Sequence, residues 1–447
     1  MSSPLHDSMA DISNNLPRRA FLRRAAFGAA AAGVLLGGSA LAGCSPGSRR
    51  QAVRDERDAK GRRVLHFWNG FTGPDGKTME KLVRRFREEN PDLDVRMQII
   101  PWGTYYDKLT LAFAFGGAPH VCVVHAARLP EFAAYDALQD LGALGENAPR
   151  LQAANFAPVP WRGSFWDGKQ YALPLDVHPI CLYYNRKLFR EAGLDAPPRT
   201  WDEFLAAAKA LTRDNNRDGK PEQWGYVFTW QRTNFLTYAA QFGGGVLTPD
   251  LERPFLSSEG SLTAARTMRS LITDHKVAPV PEGVDAWLAF RTGRVGMALE
   301  GIYMQTSLEE QKGLDWAAAP APQFGPERGV WGGSHLLAQP RGIPEDASRD
   351  AWRLMTFLSD HSVAWAAGGQ VPARRDLLAT PEFAALPAPA QAAKQLDYVA
   401  YEPPTPRSNA IFPFVDPAIE SVLLGRETPE RAFADADRRV KQVLDRP

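Results

Sequence analysis

Apolar residues along the chain recur at two spacings, every second position and every third or fourth, and the spacings alternate from residue 64 onward. Val64-Leu-His-Phe-Trp68 is aromatic or β-branched at most positions, which predicts a strand closed by the loop Asn69-Gly70-Phe71-Thr72-Gly73-Pro74. Met79, Leu82, Val83 and Phe86 follow at i, i+3, i+4 and i+7, an amphipathic helix that Asn90-Pro91 stops. Residues 95–100 read as the next strand and 102–115 as the next helix. After the Gly116-Gly-Ala-Pro-His120 turn, residues 121–125 read as a third strand. This β-α-β-α-β order predicts a parallel sheet covered by helices. In such sheets ligands gather beyond the carboxyl ends of the strands, where Trp68, Asn69 and the run from His125 to Arg128 fall.

The stretch 168–186 breaks the rhythm. Pro174 and Pro179 cannot donate ladder hydrogen bonds, so it suits the middle of a sheet poorly and an extended crossing between two bodies well. Asp176 and His178, two residues apart, point to one side of such a crossing and are candidates for a ligand floor. Beyond it, Thr200-Trp-Asp-Glu203 is a capping box for a helix carrying Phe204, Leu205, Ala208 and Leu211. A strand at 226–230 and a helix at 235–242, ending at Gly243-Gly-Gly245, come next. Ser261 is expected to cap a helix running to 275, a short helix covers 287–291, and a strand at 294–300 ends at Glu300-Gly301. These units form a second α/β body. Gly329-Val-Trp-Gly-Gly-Ser-His335 and Gly368-Gly-Gln-Val-Pro-Ala-Arg374 are two further crossing candidates. The helix 349–358 between them returns to the first body, and the C-terminal helices, the last opened by Thr428-Pro429, belong to the second.

A length of 447 residues accommodates two such bodies. Lys+Arg 52 against Asp+Glu 51 leaves a net charge of +1, so no global field favours nucleic acid or an anionic membrane. The N-terminus speaks to compartment. Pro17-Arg-Arg-Ala-Phe-Leu-Arg23 fits a twin-arginine export signal, residues 25–43 carry no charge, and Leu41-Ala-Gly-Cys44 matches a lipobox. Three signals in that order predict a cleaved signal peptide, 1–43, and a protein lipidated at Cys44. It would be anchored on the outer face of the cytoplasmic membrane. Residues 44–63, polar and without apolar periodicity, read as a disordered tether. Cys122 and Cys181 lie in apolar runs and read as buried thiols, although an oxidising compartment permits a disulfide between them.

One loop has metal-ligand spacing. In Asp214-Asn-Asn-Arg-Asp-Gly-Lys-Pro-Glu222, oxygen donors fall at relative positions 1, 3, 5 and 9 with glycine at 6, as in the first part of an EF-hand loop. Gly225 stands where the bidentate Glu would be. Asp214, Asn216, Asp218 and Glu222 are therefore candidates for a structural calcium, against the reading of a metal-free Asp/Asn/Gly turn. There is no G-x-S-x-G elbow, H-E-x-x-H pair, P-loop or dinucleotide fingerprint. A glycosidase needs only two carboxylates, and Asp176 with Glu300 offers such a pair.

The order of these pieces resembles the extracellular solute-binding proteins of bacterial carbohydrate ABC importers, the group that includes maltose-binding and glycerol-3-phosphate-binding proteins. The residues that carry the likeness are Phe67-Trp-Asn69, the 116–120 turn (with His120 where the family has Pro-Asp) and Tyr171-Ala-Leu-Pro174. Leu182-Tyr-Tyr-Asn185, Pro198-Arg-Thr-Trp-Asp-Glu-Phe204, Phe290-Arg-Thr-Gly-Arg-Val-Gly-Met297 and Trp331-Gly-Gly-Ser-His335 continue it. The resemblance implies an α/β, two-lobe periplasmic-binding-protein-like fold of type II with a hinge of two to three crossings. Its lobes would be 64–174 plus 333–368 and 175–332 plus 369–447. It also implies a monomeric receptor rather than an enzyme, handing a carbohydrate or polyol to permease subunits driven by an ATPase.

Sugars are held by flat aromatic faces and by planar groups that pair their hydroxyls. The first-lobe candidates are Trp68, Asn69, Trp102, His125 and Arg128. The crossings and second lobe supply Asp176, His178, Trp230, Glu300, Tyr303, Trp331, Gly332 and Arg374. Trp201, Trp224 and Trp352 are assigned to packing. His178 stands where maltose-type relatives have a ligand-contacting acid, and Glu300-Gly301 with Tyr303 matches a strand-end turn that supplies an aromatic platform. If Arg128 and Arg374 both face the cleft, a sugar phosphate of the glycerol-3-phosphate type becomes the alternative ligand. An anchored carbohydrate-active enzyme and a sugar-sensing module are the alternatives of other classes.

Overall fold

A computed structural model describes residues 53, 56–142, 151–219, 221–283 and 285–446. The expected signal peptide and Cys44 lie outside the described residues. Strands β1 (Arg63–Asn69), β2 (Leu93–Ile99) and β3 (Val121–His125) form the start of a first sheet, in which β1 pairs in parallel with both neighbours. A two-strand ribbon, β4 (Phe165–Trp166) and β5 (Lys169–Gln170), precedes β6 (Ala172–Pro174). The long β7 (Asp176–Asn185), β8 (Trp224–Phe228), β9 (Val295–Gly301), β10 (Trp316–Pro320) and β11 (Val330–Gly333) build a second sheet. The chain then returns in β12 (His335–Ala338) to the first sheet, and adds β13 (Val371–Pro372) and β14 (Val399–Ala400) to the second.

The first sheet runs in the order β2-β1-β3-β12-β6, and the second in the order β14-β11-β7-β9-β8, with β10 and β13 also paired to β7. Each has its own core. Helix Pro74–Glu89 buries Met79, Leu82, Val83 and Phe86 against the first sheet, as its spacing predicts, and helix Glu345–Asp360 covers the same core with Leu354, Met355 and Leu358. The second core holds Phe204, Tyr226, Phe235, Tyr238 and Phe290. Thr200 caps helix Trp201–Leu211 by accepting from the Glu203 N–H, and Thr428 caps Pro429–Leu444 in the same way through Arg431.

Several local expectations differ from the structure. The first sheet is not wholly parallel, because β12 enters it antiparallel to β3 and β6. Pro179 lies inside β7, the strand at the centre of the second sheet. It fits because partners change there: along β7, pairing with β11 covers His178 and Pro179, opposite Gly333 and Gly332, and pairing with β9 takes over from Ile180, opposite Gly301. The missing N–H falls at that handover. Helix Gln231–Gln241 starts earlier than its apolar spacing suggested. The cap of helix Glu259–Thr273 is Ser258, while Ser261 sits inside it and ties its hydroxyl to the Gly245 backbone. The far end of the expected tether is anchored: Val53 is buried beside Ala118, and Glu56 pairs with His66 and Arg96.

Candidate ligand cleft

Three passages of chain join the sheets, at Leu175, Ser334 and the segment leading to Ala373. They lie side by side and are bonded to each other. Leu175 N–H donates to His335 O at 2.9 Å, Ala373 N–H to Leu175 O at 3.2 Å, and Ala126 N–H to Ser334 O at 3.0 Å. At their centre the Asp176 carboxylate is fully buried and saturated. It accepts from His335 N–H (2.9 Å), from Nδ1–H of His335 (2.7 Å) and His178 (3.2 Å), and from Trp365 Nε1–H (2.7 Å). Burial opposes ionisation of this group. The charges and hydrogen bonds of His335 and His178 outweigh it, and hold the carboxyl well below the usual carboxylate range. An ionised carboxylate only accepts, so both rings present Nδ1–H to it.

From this knot a chain of rings runs between the lobes. On the first-lobe side Trp102 stacks on His335 (5.8 Å between centroids, 10° between planes) and touches His125 at 4.3 Å. His125 lies 4.9 Å from His335, which lies 4.4 Å from His178. His178 then reaches Tyr303 at 5.8 Å and Trp331 at 6.4 Å on the second lobe. Burial, together with His335, His178 and Arg128, keeps the His125 imidazole well below its ordinary value. Burial and His335 also lower His178, against the pull of Asp176.

Both lobes end a strand at this cleft in a polar residue and a glycine under an aromatic ring. In the first, Asn69 precedes Gly70, where a Cβ would fall 2.1 Å from Trp102; in the second, Glu300 precedes Gly301, where a Cβ would fall 2.1 Å from Tyr303. Only glycine admits the rings so close. Asn69 accepts from Phe71 N–H at 3.1 Å and leaves its Nδ2 without a partner. Glu300 accepts from Gly301 N–H at 2.8 Å, and its other oxygen has no hydrogen bond of good geometry. Burial pushes this carboxyl up to about 7, against the opposing effects of Gly301, Thr229 and Tyr303. Trp331 Nε1 is buried and unpaired as well. Buried polar atoms without partners are costly, and a guest with hydroxyl groups would satisfy them.

The structure thus gathers Asn69, Trp102, His125, Asp176, His178, Glu300, Tyr303 and Trp331. Gly332 is buried under Val399, whose Cγ1 would lie 2.7 Å from an added Cβ, so it has a packing role. Trp230 caps a helix just past β8 with 61% of its surface exposed, next to Thr229 beside Glu300. Two candidates are engaged with the protein itself. Trp68 packs under helix Trp102–Phe115 with Lys108 over its ring at 4.8 Å, because alternation along β1 sends it to the face opposite the core residue Phe67. Arg374 spends its guanidinium on Asp360 and Asp376, each at 2.6 Å. Arg128 ion-pairs with Glu131 at 2.6 Å and lies over Tyr106 while its Nε stays unpaired, so each of the two guanidiniums considered for a phosphate already has a carboxylate partner.

At the calcium candidates, Asp214 accepts from Asp218 and Gly219 N–H, Asn216 from Asp218 N–H, and Glu222 from Asn215 N–H. These oxygens close the turn on its own backbone. Cys122 and Cys181 are free, buried in different sheets. Residues that the sequence did not single out are His335, Trp365 and Tyr106, whose hydroxyl meets His125 Nδ1, together with Gln370, buried in the third passage with neither amide atom bonded. The glycines before His335 and Gln370 were the available signal.

Comparison with known proteins matches residues 71–365 to the family described as bacterial extracellular solute-binding protein. The sn-glycerol-3-phosphate-binding periplasmic protein UgpB of Escherichia coli K12 is 24% identical over 420 residues, 86% of this chain and 93% of that one. Among solved structures, the substrate-binding protein Lmo0181 of Listeria monocytogenes in complex with cycloalternan superposes with a TM-score of 0.75 at 22% identity, covering 85% and 98% of the chains. An ABC transporter solute-binding protein of Thermotoga lettingae bound with α-D-tagatose gives 0.73 at 25% identity, covering 85% and 99%. Among the described residues no helix is long and apolar enough to cross a membrane.

Proposed function

Because the chain belongs to the bacterial extracellular solute-binding proteins, we propose that it is the receptor of an ABC importer, which captures a carbohydrate or related polyol and delivers it to a membrane permease. One observation carries the reading: a line of aromatic faces from Trp102 to Trp331 spans both lobes, flanked by the unpaired polar atoms of Asn69, Glu300 and Trp331. Rings offer flat apolar faces to a sugar, and the unpaired atoms offer it hydrogen bonds. A guest that touches both lobes only when they close shifts the population toward the closed form.

A neutral guest is favoured over a phosphate, since Arg128 and Arg374 are both held in ion pairs. The receptor reading is favoured over a glycosidase as well. Asp176 is bound on both oxygens by ring N–H groups, which leaves Glu300 without a second free carboxylate from that pair. Anchoring through Cys44 is part of the proposal and rests on the sequence signals alone. The loop at 214–222 enters it as a structural turn, and a calcium titration that raised the unfolding midpoint would add an ion to it.

The test is a thermal-shift screen against mono-, di- and oligosaccharides, sugar acids and glycerol phosphates. A ligand present at about a hundred times its Kd stabilises the folded state by about 2.7 kcal/mol, a clear rise in midpoint. Recovery of the ligand intact after prolonged incubation separates the receptor from an enzyme. No shift with any sugar or polyol, or turnover of one, overturns the reading.

A further inference from the structure

We propose that His125, His178 and His335 form a binding site for a divalent transition-metal ion of the zinc type at the floor of the cleft. The three rings come from different stretches of chain, the end of β3, β7 and the start of β12, and one ring nitrogen of each lies within 4.8 Å of the others. Imidazole nitrogens suit zinc, copper and nickel, and three of them with an open fourth position is a recurrent arrangement in sites that admit a further oxygen ligand.

The surroundings are those of a metal site rather than of three packed rings. In such sites each ligating histidine gives its other nitrogen to a carboxylate, carbonyl or water, which fixes the tautomer and aims the ring. Here Asp176 holds Nδ1 of both His178 and His335, and the Tyr106 hydroxyl meets Nδ1 of His125. In the neutral rings, Nδ1–H donation of this kind leaves Nε2 as the ligand atom of each. Gly333 lets the backbone of β11 pass close beside the His178 ring, since a Cβ there would fall 2.2 Å from Nε2. A metal–nitrogen bond of about 2.1 Å in tetrahedral geometry needs nitrogens roughly 3.4 Å apart. Nitrogens that all lie within 4.8 Å of one another reach that spacing by small reorientations of the rings.

The open position would face Tyr303 and Trp331, where a guest's hydroxyl or carboxylate oxygen could complete the shell. The site stands independently of the transport reading, because it is tested with metal alone. The purified protein, stripped with a chelator and dialysed, is titrated with Zn²⁺ by calorimetry and with Co²⁺ by visible absorption. One equivalent bound, with the intense d–d bands of a tetrahedral cobalt site, is expected. His125→Ala is the decisive variant: its side chain makes no hydrogen bond to Asp176, and it should weaken Zn²⁺ binding more than about a hundredfold at an unchanged circular dichroism spectrum. His335→Ala should do the same if it folds. Absence of stoichiometric binding by the wild type, or binding undiminished in His125→Ala, overturns the assignment.

Discussion

Each lobe offers the cleft a strand-end glycine with an aromatic ring lying on it, Trp102 over Gly70 and Tyr303 over Gly301, yet the two are supported differently. Trp102 is wedged among Phe71, Tyr105, Tyr106, His125 and His335, at centroid distances from 4.3 to 6.0 Å. The second lobe sets its aromatic groups more loosely. Trp230 is largely exposed, Trp331 carries an unpaired N–H, and burial pushes the Glu300 carboxyl up to about 7. The first lobe is a pre-formed aromatic wall with one unpaired amide at Asn69, and the second carries looser rings and two unpaired polar groups, Glu300 and Trp331. Pre-organising one face reduces the ordering cost of binding, and leaving the other unpaired makes closure depend on the guest.

The contrast can be broken most severely at its shared pivot. Asp176→Ala leaves two imidazoles and the Trp365 N–H without their acceptor and should cost about 3–5 kcal/mol in chemical unfolding. A loss below about 1 kcal/mol would mean that the knot does not hold the passages together. The two walls should then separate by substitution. Trp102→Ala should cost about 3 kcal/mol of stability, whereas Trp230→Ala should leave stability within about 0.5 kcal/mol and weaken ligand binding about fivefold. Equal stability losses would erase the distinction between the lobes.

Next comes pH. Glu300 keeps its proton in the folded state up to about 7, while the unfolded chain loses it near 4.5. The folded state thus binds more protons between those values, so the contribution of this group makes stability fall as pH rises through that window and level off above it. Glu300→Gln removes the slope, and the difference between the two proteins should reach about 3 kcal/mol, read from unfolding curves across the window. Parallel curves would place Glu300 in water. The smallest effect is expected at Arg374→Ala, less than about 1 kcal/mol of stability and no change in ligand affinity, because its partners are Asp360 and Asp376 on the rim.

Much of this was legible in the chain. Strand ends and proline-marked passages are local features, which is why Asn69, Trp102, His125, Asp176, His178, Glu300, Tyr303 and Trp331 could be named from sequence. What stayed hidden depends on contacts distant along the chain. His335 and Trp365 become partners of Asp176 across 159 and 189 residues, and no local spacing announces that. The packing of Trp68 was not legible because both faces of the first sheet are covered by apolar side chains, and alternation alone does not tell one face from the other. The polar run before residue 63 read as a tether because charges that pair across the fold, Glu56 with Arg96, look like solvated charges in isolation.

The central claim is that the lobes close on a guest about the passages at Leu175, Ser334 and Ala373. Small-angle scattering with and without the ligand that most raises the unfolding midpoint tests it most directly. The account predicts a smaller radius of gyration in the bound protein; a ligand that saturates and stabilises the protein while the radius stays the same would contradict it.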